Sequence, residues 1–197
     1  MQLRVAQPAD SEHITQVRII CWKAAYANII PEDFLTPDFI DQFVQQRRQS
    51  LAQPEAECTF VAVDEDRGII AYAIGGPALS PHLPFSGELY EVYVLPTYQK
   101  HGIGRELTLL VACELLAQGH SSMMLHVLAE NRNARQFYEK LAGTLIEQRS
   151  LDIQGNTVRD VAYGWSSIRQ IPGIPCIISS HMQGHENPEQ KLSHDNK

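Results

Sequence analysis

The stretch ELYEVYVLPTYQKHGIGREL, Glu88 to Leu107, decides how this chain folds. Glu88 to Leu95, rich in β-branched, aromatic and leucine side chains, reads as a strand that Pro96 closes. Gln99-Lys100-His101-Gly102-Ile103-Gly104-Arg105 follows as a loop, and the apolar run from Leu107 to Leu116 reads as a helix. Two glycines let a short loop turn tightly and approach a ligand closely. The next helix offers unpaired N–H groups at its first turn, with the positive end of its dipole on the same side. Lys100, His101 and Arg105 add charge or potential charge. Such a strand–loop–helix can hold a pyrophosphate. The same Gly-x-Gly also serves as an ordinary strand-to-helix turn, and both readings stand on these residues alone.

Working outward, strands and helices alternate. Gln2–Ala6 alternates polar and apolar as a half-buried strand does. Pro8-Ala9-Asp10 opens a helix, with Asp10 or Ser11 as its cap, and Ile14, Val17, Arg18, Cys21, Trp22 and Ala25 form a largely apolar face. Pro31 begins a second helical stretch through Phe34, Phe39 and Phe43 to Arg48. Cys58–Val63 and Ile69–Gly75 read as strands joined by the turn Asp64-Glu65-Asp66-Arg67-Gly68. Beyond the central stretch come a strand, Ser122–Leu128, and a helix, Asn133–Leu141. Two final strands, Thr144–Ile153 and Thr157–Trp165, flank Gln154-Gly155-Asn156. The order β-α-α-β-β-β-α-β-α-β-β describes an α/β domain expected to span residues 1–168. Residues 169–197 are expected to be a flexible tail, because their end has few apolar residues and no periodicity.

VLPTYQKHGIGREL resembles the coenzyme A signature of the GCN5-related N-acetyltransferase (GNAT) superfamily, Gln/Arg-x-x-Gly-x-Gly/Ala. About thirty residues on, Asn131-Arg132-Asn133-Ala134-Arg135-Gln136-Phe137-Tyr138 is similar to that family's second signature, Asn-x-x-Ala-x-x-Phe-Tyr. Two motifs in the right order are far more specific than one. The resemblance runs from about Leu3 to Trp165, strongest from Glu88 to Gly143. It implies a mixed, mostly antiparallel seven-stranded sheet, splayed between its fourth and fifth strands and flanked by about four helices. One departure stands out. Where the family often reads Tyr-x-x-x-Gly-Phe, this chain has Tyr138-Glu139-Lys140-Leu141-Ala142-Gly143-Thr144, with the glycine displaced by one and the aromatic missing.

The resemblance also implies roles. Gln99, Lys100, His101, Gly102, Ile103, Gly104 and Arg105 would hold the pyrophosphate of acetyl-CoA. The Val92 N–H would face the thioester oxygen, Val94 would pair with the pantetheine arm as a strand does, and Asn131 would bind that arm, a role compatible with its also capping a helix. Glu88, eleven residues before Gln99, is the candidate general base. By alternation it shares a face with Tyr90, Val92 and Val94, while Leu89, Glu91 and Tyr93 take the other. Glu91 is its understudy, since a bulge would change the faces. Tyr138 is the candidate general acid, because a phenol of pKa about 10 can pass a proton to a departing thiolate. Trp22 and Tyr26, four apart on a helix, form either core or an aromatic wall for a cationic acceptor. Ala78–Ser86 is either a lid over the acceptor or a surface loop.

Composition narrows the class. The chain has 197 residues, 44% of them hydrophobic, enough for one core. A net charge of −7 argues against a general nucleic-acid surface. No apolar run reaches the roughly 20 residues of a membrane span, and Met1-Gln2-Leu3-Arg4 lacks a signal peptide's apolar core. Cys21, Cys58, Cys113 and Cys176 are scattered, as idle thiols in a reducing cytoplasm would be. His181, His185 and His194 fit no standard metal spacing, so no metal is expected. The expectation is a cytoplasmic, acetyl-CoA-dependent N-acetyltransferase acting on a small-molecule amine by direct attack on the thioester, with no serine or cysteine nucleophile legible beside a base. Acetylation of a protein N-terminus or lysine, and a non-catalytic acyl-CoA-binding module, are the alternatives. A homodimer through the late strands is a family-level expectation.

Overall fold

Alternating apolar residues draw seven segments into one sheet in the computed structural model, which describes residues 1–26, 36–53, 57–153 and 156–174. The strands are β1 (Gln2–Val5), β2 (Cys58–Asp64), β3 (Gly68–Pro77), β4 (Gly87–Val94), β5 (Met123–Leu128), β6 (Thr144–Ile153) and β7 (Asn156–Trp165). Their order is β1-β2-β3-β4-β5-β7-β6, antiparallel at every junction but one. The exception is β4–β5, parallel, with register pairs only at Gly87↔Met123 and Glu88↔Met124. The sheet is therefore two antiparallel halves joined at one corner, opening into a cleft beyond Glu88.

Helices cover both faces. On one, α3 (Ile103–Ala117) buries Leu107, Leu109, Leu110, Val111 and Leu115 against Ile70, Ala71, Ala73 and Leu89, and α4 (Arg132–Lys140) adds Tyr138. On the other, α1 (Ser11–Tyr26) packs Ile14, Val17 and Cys21 on Val61, Tyr72 and Ile74. The strands need both faces covered, which is why β3 is an almost unbroken apolar run, buried from Ile69 to Gly76. Gly75 has a packing reason: a Cβ there would lie 2.9 Å from the Glu88 carbonyl oxygen and drive into Val111 of α3. The second helix, α2 (Pro37–Ala52), is capped by the Thr36 hydroxyl, which accepts from the Phe39 N–H at 3.2 Å. It ends later than the expected Arg48; residues 31–35 of the expected stretch lie outside the described residues, as do Gln154 and Gly155.

Two expectations need correction. The pairs Ile74↔Glu91 and Gly75↔Leu89 leave Tyr90 as an extra residue, a β-bulge in β4. Beyond it the faces exchange, so Glu88, opposite Gly76, lies on the same face as Glu91 and Tyr93 rather than with Val92 and Val94. The core also continues past residue 168. After a 3-10 turn at Ile168–Gln170, the side chains of Ile168, Ile171 and Ile174 are all buried in the α3 core. Residues 175–197 lie outside the described residues.

Candidate active site

The loop after β4 begins as a 3-10 turn, Pro96–Tyr98, and then bends through two left-handed residues, Lys100 at φ +67° and Gly102 at φ +87°. Gly102 caps α3. The helical ladder starts with Glu106 N–H donating to the Gly102 carbonyl at 3.0 Å, so the N–H groups of Ile103, Gly104 and Arg105 point out of the helix end. Ile103 anchors this turn by burying its side chain and contributes only backbone outward. A Cβ on Gly104 would stand 3.5 Å from Val94 and 3.7 Å from Phe137, ordinary contact, so the protein itself does not require glycine there. His101 and Lys100 are exposed, while the Arg105 guanidinium donates to the Pro172 carbonyl at 2.9 Å and lies against the chain after β7.

The loop stands at the mouth of the cleft. Leu95 N–H donates to the Ile70 carbonyl at 2.9 Å, and alternation from that pair turns the N–H and C=O groups of Tyr93 and Glu91 toward β3. Those of Val92 and Val94 therefore point to the open edge, toward β5. The Val94 carbonyl meets two side chains, Gln99 Nε2 at 3.0 Å and the Cys21 thiol at 3.3 Å. Gln99, the first residue of the loop signature, thus ties the loop to the edge of β4.

At the closed end of the cleft, Glu88 is buried, 6% exposed, and its carboxylate accepts from the Leu79 N–H at 2.8 Å. Glu91, on the same face, is otherwise occupied: it pairs with the Arg18 guanidinium and accepts from the Tyr72 hydroxyl at 2.6 Å. Burial, reinforced by the Glu91 charge, raises the Tyr72 phenol well above its usual range, so it stays a donor to that carboxylate. Trp22 donates through Nε1 to the Tyr93 hydroxyl at 2.7 Å, and the cation over its ring is the chain's own Arg18, at 4.9 Å. Arg18 also lies 3.8 Å from the Phe43 ring centroid. Tyr26 closes α1, and its side chain lies outside the described residues.

Across the cleft, Asn131 caps α4, its Oδ1 accepting from the Ala134 N–H at 3.1 Å. The cap reading of Asn131 therefore holds. Tyr138 is buried between Phe137 and Tyr163, with ring centroids 5.1 and 6.2 Å away. The displaced glycine after α4 also has a cause. Ala142 takes the left-handed position at φ +61°, and a Cβ on Gly143 would fall 2.9 Å from the Trp165 ring. Trp165 donates to the Leu141 carbonyl at 2.7 Å and so needs that closeness.

One cluster escaped the sequence reading. The Ser80 hydroxyl lies 3.1 Å from His126 Nε2, and His126 Nδ1 lies 2.7 Å from Asp160 Oδ2. The residues come from the β3–β4 connection, β5 and β7, with no spacing rule to join them. The only hints were a histidine and an aspartate breaking apolar strand runs. The connection Ala78–Ser86 is pinned as well: the Ser86 hydroxyl meets Ser122, and Phe85 fills the space beside Gly164. Cysteine offers no such nucleophile among the described residues. Burial pushes the thiols of Cys21 and Cys58 up to about 12, Cys58 with help from the Glu114 charge, and raises Cys113 as well.

The model of the acetyltransferase (GNAT) family matches residues 23–143, the segment carrying the cleft, the loop and α4. YuaI, an uncharacterised N-acetyltransferase of Bacillus subtilis (strain 168), is 30% identical over 167 residues, 84% of this chain and 93% of that protein. The chain belongs to the GNAT acetyltransferase family. Solved structures agree on the fold of this acetyltransferase. That of yncA from Salmonella typhimurium, with its cofactor acetyl-CoA, has a TM-score of 0.65 at 21% identity, covering 84% of this chain and 92% of its own. PaiA N-acetyltransferase from Thermoplasma acidophilum, in complex with coenzyme A, has a TM-score of 0.60 at 18% identity, covering 81% and 98%. The splay between the fourth and fifth strands and the seven-stranded order are thus the family architecture, as the two motifs implied.

Proposed function

We propose that this acetyltransferase moves an acetyl group from acetyl-CoA to a primary amine of a small molecule, by direct attack of the amine on the thioester. The observation that carries this is the cleft itself, with outward N–H groups of α3 at its mouth and, along its wall, an edge of β4 at Val92 and Val94 that pairs with no other strand among the described residues. The donor-bound relatives yncA and PaiA support the same donor here. Acetyl-CoA supplies a thioester, whose carbonyl gains negative charge as the amine adds.

In this reading the N–H groups of Gly102, Ile103, Gly104 and Arg105 bind the pyrophosphate at the helix end, with Lys100 and His101 close enough to add charge. Arg105 joins them by leaving Pro172. Val94 offers its N–H and C=O to the amides of the pantetheine arm once Gln99 and the Cys21 thiol release the carbonyl, and Asn131 borders the same arm. The Val92 N–H donates to the carbonyl oxygen, where preorganised donors are worth most. Glu88 receives the ammonium proton, through a water or directly, from the face of β4 opposite Val92. Tyr138 gives a proton to the sulfur as the carbon–sulfur bond breaks. A buried carboxylate at the closed end favours a cationic acceptor over an anionic one.

Titration calorimetry tests the donor. Acetyl-CoA and coenzyme A are expected to bind with heat that ATP at the same concentration does not give. A folded sample that ignores both coenzymes would reduce the loop to a turn and remove the proposed activity with it.

A further inference from the structure

We propose that Ser80, His126 and Asp160 form a second acyl-transfer centre, in which Ser80 is a nucleophile toward small activated esters. The two imidazole nitrogens have different partners in the order such a centre requires. Arg149 Nε donates to Asp160 Oδ2 at 2.9 Å, and His126 Nδ1 approaches that same oxygen at 2.7 Å. Arg149 Nη2 also lies 3.4 Å from His126 Nδ1, but the carboxylate oxygen can only accept and is far closer at 2.7 Å, which places the ring proton on Nδ1. That leaves the Nε2 lone pair facing the Ser80 hydroxyl at 3.1 Å. Nucleophile, base and an orienting carboxylate within hydrogen-bond reach are the arrangement that activates a serine.

The surroundings hold that order. Asp160 is 4% exposed on β7, and Arg149 of β6, its register partner, lies over it. The neighbouring Leu79 N–H is fastened to Glu88, which holds the backbone before Ser80 in place. Ser80 itself is 8% exposed, which limits the acyl group to a small one. In the reaction the Ser80 hydroxyl proton passes to His126 Nε2 as Oγ bonds to the acyl carbon, and the ester C–O bond breaks as Nε2 hands that proton to the leaving oxygen, releasing the alcohol or phenol and a neutral imidazole. Water then attacks the acyl-serine, its proton going to Nε2. The Ser80 O–C bond breaks, the carboxylic acid leaves and Ser80 regains a proton. His126 is the base, and Asp160 and Arg149 are positioning residues.

The inference is independent of the acetyltransferase reading, and its test contains no coenzyme. The full chain is incubated with an alkyl fluorophosphonate and, separately, with p-nitrophenyl acetate, and followed by intact mass, peptide mapping and nitrophenolate release. One adduct on Ser80 is expected, absent in Ser80→Ala. His126→Gln is expected to slow labelling at least about 100-fold, the lower range of a positioned base. Asp160→Asn should slow it too while still melting in one cooperative transition, at a lower midpoint because a buried ion pair is broken. A folded wild type without a Ser80 adduct, or labelling as fast in His126→Gln, overturns the proposal and leaves the three residues as the fastening of the β3–β4 connection.

Discussion

Tyr138 and Glu88 show how much a residue's role depends on what surrounds it. Motif position singles out both residues, but it does not give their settings. Tyr138 is wedged between Phe137 and Tyr163, so its ring is held at one angle to the cleft. Tyr163 is itself fixed, donating to Glu139 at 2.6 Å and accepting from Arg135 Nε at 3.1 Å. Removing only the Tyr138 hydroxyl should leave that packing in place. Tyr138→Phe is expected to bind acetyl-CoA as wild type does, while thiol release with an acceptor from an amine panel falls by about 100-fold or more, the scale of a general acid. Undiminished thiol release would remove Tyr138 from the chemistry. Simple alternation puts Glu88 on the face of Val92 and Val94, and the bulge at Tyr90 reverses it. A bulge depends on how two strands meet, which a strand's own residues do not specify.

At the scale of elements, local chemistry wrote most boundaries. Thr36 before Pro37, Asn131 before Arg132 and Gly102 before Ile103 each open a helix for a reason visible in the sequence. The turn after α4 is the exception, because its glycine follows Trp165 rather than the dihedral. Ala142 carries a left-handed backbone that costs a non-glycine residue about 1–2 kcal/mol. Glycine there loses part of that gain through the greater freedom of the unfolded chain. Ala142→Gly is therefore expected to stabilise the protein by about 0.5–1 kcal/mol, read as a higher midpoint in urea unfolding. Gly143→Ala should do the opposite, since its Cβ would strike the Trp165 ring and the Tyr138 carbonyl, 3.0 Å away. A lower midpoint for Ala142→Gly would mean that the turn relaxes in another way.

The whole molecule is two sheet halves meeting at Gly87 and Glu88, with α3 laid across one face and the chain after β7 closing its end. That closing segment carries the buried core beyond β7. Ile171 and Ile174 are each 1% exposed, and burying such a side chain contributes about 1.5–3 kcal/mol. A chain ending at Arg169 is expected to lose roughly that amount for each of them, whereas one ending at Ile174 should melt with the full-length protein. Equal melting of both truncations would show the segment to be a passive cover.

The sequence alone determined the order of elements, the Gly-x-Gly loop between β4 and α3 and the second motif, because these depend on periodicity, prolines, glycines and caps within short windows. It also carried the family, through two motifs in register with each other. Tertiary structure alone decided three things: the bulge that moved Glu88 to the Glu91 face, the burial of Ile168, Ile171 and Ile174, and the meeting of Ser80, His126 and Asp160. Each is set by contacts between residues far apart in the chain, where side chains compete for the same space and the same hydrogen bonds. No local pattern of residues encodes that competition.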